Sequence, residues 1–173
     1  KVLIYLNKIK PDLVFLFGVS VIKNEVLNAM PKNLINLHSG IAPYYKGSAC
    51  NFWPFYFLSP HYAGYTFHRV NESVDTGEII QHSLPKLIPG LTIHEVSCLG
   101  LKESIKDALK IIDKYKNKKS IPSSNINNQG KFFFNSDFQP HHLRLIYDIF
   151  NDNIVDYYLE NINLYKSPKL IKL

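Results

Sequence analysis

The hydrophobic pattern changes period along the chain. Residues 12–18, DLVFLFG, form an unbroken apolar run bounded by Pro11 and Gly18, which suits a strand buried on both faces. Residues 33–38, NLINLH, make a second short strand closed by Ser39-Gly40. Between them, residues 22–30 carry a short helical pattern that Pro31-Lys32-Asn33 interrupts. Strand, helix and strand with tight links predict a right-handed βαβ unit. Residues 1–7, KVLIYLN, fit either a strand or the end of a helix.

Further along, residues 64–70, GYTFHRV, alternate Tyr65, Phe67 and Arg69 against Thr66 and His68, the period of a strand. Thr92-Ile93-His94-Glu95 is a capping box opening a long helix, with Leu101, Ile105, Ala108, Ile112 and Tyr115 as its expected buried stripe. Residues 116–129 are polar and read as a linker or surface loop. Residues 131–134 predict a short aromatic strand, and Pro140 opens another helix with Leu143, Ile146 and Phe150 on one face. From Asn153 the alternation is weak and specifies no element. The pattern predicts an α/β fold, a mostly parallel sheet flanked by helices, with ligands beyond the carboxyl ends of its strands.

Composition narrows this little. A chain of 173 residues, 46% apolar and 20% charged, makes one domain or one domain plus a tail. The net charge of +6 is spread over scattered lysines, and the run from Lys114 to Lys119 suits the carbonyl end of a helix. That argues against a nucleic-acid surface and leaves room for a phosphate-bearing substrate. Cys50 and Cys98 have neither metal-like spacing nor disulfide density, which points to a reducing, cytoplasmic setting. No apolar run is long enough to cross a bilayer, there is no signal peptide, and the chain starts at Lys1, inside structure, as a fragment would.

The reaction-capable residues gather in 36–77. Asn36 and His38, one residue apart on a strand, share a face, and Asp75 follows in the tight turn Val74-Asp75-Thr76-Gly77. An amide donor, an imidazole and a carboxylate suit a tetrahedral intermediate formed when an amine attacks an acyl carbon. No serine or cysteine looks activated, which favours direct transfer over a covalent intermediate. The same residues have plain alternatives, since a histidine can end a strand structurally and Asp-x-Gly suits any turn. His61, His68, His82, His94, His141 and His142 are read as structural, and no metal is expected because no ligand cluster forms.

The residues Asn36-Leu37-His38-Ser39-Gly40-Ile41-Ala42-Pro43, Tyr45-Lys46-Gly47, Gly64-Tyr65-Thr66-Phe67-His68 and Asp75-Thr76-Gly77 before Ile79-Ile80 together resemble the folate-dependent formyltransferase family. The resemblance implies a Rossmann-like fold. It also implies an enzyme using N10-formyltetrahydrofolate as co-substrate, with Asn36 and His38 stabilising the oxyanion and Asp75 positioning His38 and moving the proton. Its pterin pocket would lie between Phe17, Gly18, Val19 and Ser20 and the loop holding Val70, Asn71 and Val74. The aromatic Asn51-Phe52-Trp53-Pro54-Phe55 and the later KFFFNSDFQPHHLR are most similar to members that formylate nucleotide-linked amino sugars for polysaccharide biosynthesis. Tyr44, Tyr45, Lys46 and Trp53 are then the candidate acceptor contacts. The alternatives are a formyltetrahydrofolate hydrolase, a methionyl-tRNA formyltransferase-like enzyme, or a non-catalytic folate-binding fragment. Family members place a further strand and helix before the run 12–18, so 1–119 is expected to be an N-terminally truncated catalytic domain. Residues 120–173 are then expected to be a C-terminal strand and helix extension and a candidate homodimer surface.

Overall fold

The computed structural model describes residues 1–71, 73–118, 120–127 and 129–173. Helix α1 (Val2–Ile9) leads into strand β1 (Leu13–Phe17), and the short α2 (Asn24–Asn28) connects it to β2 (Asn33–His38), giving the expected βαβ unit. The open reading of residues 1–7 resolves as helix. Strand β3 (Tyr45–Gly47) and helix α3 (Trp53–Tyr56) follow, then β4 (Tyr65–Arg69), β5 (Ile79–Ser83) and the long α4 (Ile93–Lys118). Beyond it lie β6 (Lys131–Phe133), an irregular helical stretch with π geometry at Leu145–Ile149, and α5 (Ile154–Glu160).

The α/β class holds, but the sheet is mixed rather than mostly parallel. Among the described residues its order is β1-β2-β4-β5, with β1 and β2 parallel and the β2–β4 and β4–β5 pairs antiparallel. A connection as short as 70–78 cannot make the crossover that a parallel neighbour needs, so β5 turns back on β4. The chain between β2 and β4 builds an aromatic cluster instead of a crossover helix.

The two faces of the sheet divide the work. Ile35, Phe67 and Ile80 pack with Ile111 and Ile121 in one cluster, against which Phe15 stands edge-on to Phe67 at 6.0 Å. Because side chains alternate along a strand, Asn36 and His38 turn to the opposite face. The second cluster joins Tyr45, Phe52, Trp53 and Phe55 to Ile93, Val96, Ile146, Ile154 and Val155. Trp53 stacks on Phe133 with ring centroids 4.5 Å apart.

Helix α4 opens as expected: the Thr92 amide donates to Glu95 Oε2 at 2.9 Å and the Glu95 amide to Thr92 Oγ1 at 3.3 Å. Its buried stripe matches the expected one at Ala108 and Tyr115, which pack on the Ile35 cluster, and departs from it at Ile105. Ile105 is 56% exposed, whereas Ser104 and Ile111 are fully buried. Ser104 tolerates burial because its hydroxyl donates to the Leu101 carbonyl at 2.8 Å.

The expected boundary at 119/120 and part of the expected loop 116–129 fall on Lys119 and Asn128, outside the described residues. What can be described of that loop is held down, for Ile79 and Ser124 exchange backbone hydrogen bonds at 2.8 and 2.9 Å. The tail that specified no element contains α5 and then runs along β5. There the His82 amide donates to the Ile171 carbonyl and the Ile171 amide to His82 Nδ1, both at 2.8 Å. Bridge and tail thus cover the outer edge of the sheet.

Candidate active site

Strand register sets the centre. Asn36 on β2 lies directly opposite His68 on β4, so the two side chains meet on the face away from α4. The C-terminal end of β4 points away from that of β2, so the chain that carries Asp75 leaves β4 at the opposite edge of the sheet. The connection 70–78 then folds back over the sheet face. Asp75 takes a left-handed backbone, φ 51°, which aspartate tolerates. Gly77 is required beside it, because a Cβ there would collide with the Arg69 carbonyl.

The Asp75 carboxylate is held from four directions. Oδ2 accepts from the Gly47 amide at 3.0 Å and lies 3.2 Å from His38 Nδ1. Oδ1 lies 3.3 Å from His68 Nε2 and 3.5 Å from the Asn36 amide nitrogen. Burial by itself raises this carboxyl, but the His68 hydrogen bond, the nearby His38 charge and the Gly47 amide together hold it below its ordinary value of 3.8.

His68 Nδ1 faces the Arg69 carbonyl at 2.8 Å and so carries a proton. Its Nε2 then accepts from the Asn36 amide at 3.2 Å when the ring is neutral, and donates to Asp75 when it is charged. His38 is 5% exposed, with Nε2 3.0 Å from the Tyr45 carbonyl and Nδ1 against Asp75. A neutral ring serves one of these oxygens, and the charged carboxylate is the stronger acceptor. Burial pushes His38 below its ordinary 6.5, against the pull of Asp75 and the Tyr45 carbonyl. Gly40 fits close behind, where a Cβ would stand 2.5 Å from His38 Nε2 and from Cys50.

Two clefts open on this cluster. The first, of about 200 Å³, has apolar walls from Leu16, Val19, Ile22 and Leu27 and polar groups from Ser20, Asn36, His68 and Asp75. The second, of about 470 Å³, is lined by Lys46, Asp75 and Thr76 and by residues 125–127. A carboxylate shared by both walls can pass a proton between groups held on its two sides.

Asn36 and His38 are therefore brought together with Asp75, which is distant from them in sequence. His68, read as structural, joins them and lines the first cleft, whereas His38 lines neither. The signal for His68 was present in 64–70, where Thr66 and His68 are the polar positions of an alternating strand. Val19, Ser20, Val70, Asn71 and Val74 line the first cleft; Phe17 and Gly18 do not. Glu72, inside the same expected loop, is outside the described residues. Of the expected acceptor contacts only Lys46 reaches the second cleft. Tyr45 and Trp53 are buried, the indole donating to the Ser48 carbonyl at 3.0 Å, and the Tyr44 hydroxyl bonds Lys169 backbone. Among the described residues no group of three His, Cys, Asp or Glu side chains is placed to hold a metal, and no helix is long and apolar enough to cross a membrane.

Residues 1–108 match the profile of the family described as formyl transferase. The chain is 29% identical over 114 residues to the methionyl-tRNA formyltransferase of Agathobacter rectalis, an alignment covering 63% of this chain and 36% of that protein. It is 30% identical over 117 residues to the chloroplastic phosphoribosylglycinamide formyltransferase of Arabidopsis thaliana, covering 62% of this chain and 38% of that one. It spans little more than a third of the length of these relatives. Among solved structures it is similar to the formyltransferase PseJ from Anoxybacillus kamchatkensis, whose complex holds UDP-4,6-dideoxy-4-formamido-L-AltNAc and tetrahydrofolate. The TM-score is 0.68 at 23% identity, covering 83% of this chain and 74% of that one.

Proposed function

The chain belongs to the formyl transferase family, and from that premise we propose that it moves a formyl group from N10-formyltetrahydrofolate to the amine of a nucleotide-linked amino sugar. The observation that carries the reading is the place of Asp75, in the wall between two clefts, with Asn36 and His68 beside it on one side. The first cleft, apolar on its walls with a few polar groups at one side, suits a flat pterin ring with hydrogen-bonding edges. The second suits a polar acceptor, with Lys46 for its phosphate. The ligands of the PseJ complex, a folate and a UDP-linked formamido sugar, are the pair this arrangement would hold.

In the proposed reaction the acceptor nitrogen attacks the formyl carbon from the Asp75 side. Asn36 and a protonated His68 donate to the oxygen as it gains charge. The carbon–N10 bond then breaks, and the proton lost by the amine passes through Asp75 and His68 to N10. His38 braces the carboxylate from behind, so the oxyanion role expected of it passes to His68. A competing acceptor, the amine of methionyl-tRNA or phosphoribosylglycinamide, is kept open by the relatives that act on them.

The test is to incubate the chain with N10-formyltetrahydrofolate and each of three amines: a UDP-linked 4-amino sugar, phosphoribosylglycinamide and methionyl-tRNA. Mass spectrometry should find the formyl group on the sugar. Formylation of another acceptor would reassign the substrate. Formate release without an acceptor would make the chain a hydrolase. No reaction from a chain that binds a stable folate analogue by calorimetry would overturn catalysis.

A further inference from the structure

The far wall of the second cleft is made by a segment beyond residues 1–108, and its construction is unlike that of a loose linker. Ile121 is 3% exposed, in the cluster with Ile35, Phe67 and Ile111. The Arg69 guanidinium donates from Nη2 to the Ile121 carbonyl at 2.6 Å and from Nε to Ser123 Oγ at 3.1 Å. Ser123 Oγ in turn donates to Glu78 Oε2 at 2.7 Å, and Ser124 is bridged to Ile79. Arg69 ends β4, Glu78 precedes β5 and Ile79 begins it, so these bonds clasp both ends of the connection that carries Asp75. Directly after the clasp, Asn125, Ile126 and Asn127 line the cleft, with both asparagines solvent-exposed.

We propose that residues 121–127 form an acceptor-side strap. Its anchored half, 121–124, fixes the ends of the Asp75 connection. Its free half offers the amides of Asn125 and Asn127 to hydroxyl and amide groups of a polar sugar whose phosphate meets Lys46. Amides that donate and accept are suited to hydroxyls of either polarity, which a sugar presents at every carbon. This inference rests on the formyl-transfer reading for the chemistry but not for the binding. The strap lies outside the part of the chain that matches the family profile, so it is a place where acceptor choice can differ between members.

The experiment uses the whole chain and the double variant Asn125→Ala/Asn127→Ala, with the UDP-linked 4-amino sugar as probe. Calorimetric affinity for the probe should fall about tenfold in the variant, the loss expected of two hydrogen bonds, while affinity for the folate analogue stays within about twofold. In the transfer assay KM for the sugar should rise by a similar factor with kcat little changed. Unchanged probe affinity in a variant that still binds folate would overturn the strap. If the parent binds the probe, loses it in the variant, and transfers nothing, the strap stands and the transfer reading falls. If the folded parent binds no probe and transfers nothing to it, both fall.

Discussion

At the scale of single residues the proposed reaction divides the two histidines around Asp75 between chemistry and support. His68 lines the first cleft and His38 does not. His68→Gln should therefore lower kcat by about 10²–10⁴, the range of a lost acid–base group, with little change in urea stability. His38→Ala should cost about 1–3 kcal/mol of stability, because it leaves a buried carboxylate oxygen short of a partner. Steady-state kinetics and urea unfolding on the same two proteins separate the roles. The reverse pattern, with His68→Gln unfolding easily and His38→Ala slow but stable, would return the cleft-facing role to His38. Asp75→Asn keeps the volume and removes the charge that both clefts share, so transfer should drop by a similar factor while the folate analogue still binds. Much of this was legible in the sequence, for the spacing of Asn36 and His38 alone places them on one face. The alternation in 64–70 marks His68 as a polar position, but its partnership with Asn36 depends on antiparallel register, which no local pattern states.

At the scale of elements, what was legible is what the neighbouring residues determine. The strand 33–38, the capping box at Thr92 and the helix after it appear where their local chemistry puts them. Thr92→Ala should remove the cap of α4 at a cost of about 1 kcal/mol, read as a lower midpoint in chemical unfolding. An unchanged midpoint would mean that packing of Val96 and Ile111 alone sets the helix end. What the sequence did not disclose depends on distant partners. Strand direction in the second half of the sheet follows from the brevity of 70–78. The stripe of α4 departs from the expected one at Ile105 because Ser104 satisfies its own hydroxyl and can be buried. Residues 121–124 look like a polar linker until Arg69 and Ile79 are placed beside them.

At the scale of the whole molecule, buried imidazoles tie stability to pH. Burial holds His38, His61 and His82 below their ordinary 6.5, against carbonyl or carboxylate neighbours that pull each upward. As pH falls through that value the unfolded chain takes up protons that the native rings refuse, so the unfolded state gains. Asp75, held below 3.8, adds stability above that value and loses it further into acid, a slope of the same sign. The urea midpoint should be steady above about pH 7 and fall by about pH 5; a midpoint that rose toward acid would mean that these rings charge readily in the native state. The aromatic cluster has a consequence of another kind. Trp53 is the chain's one tryptophan, buried at 3% exposure and stacked on Phe133, which lies far away in sequence. Its fluorescence therefore speaks for the packing of 44–63 against 131–155 and the first turn of α4, and not for the four-stranded sheet or the rest of that helix. A melting curve followed by emission describes one half of the interior, and circular dichroism of α4 must speak for the other.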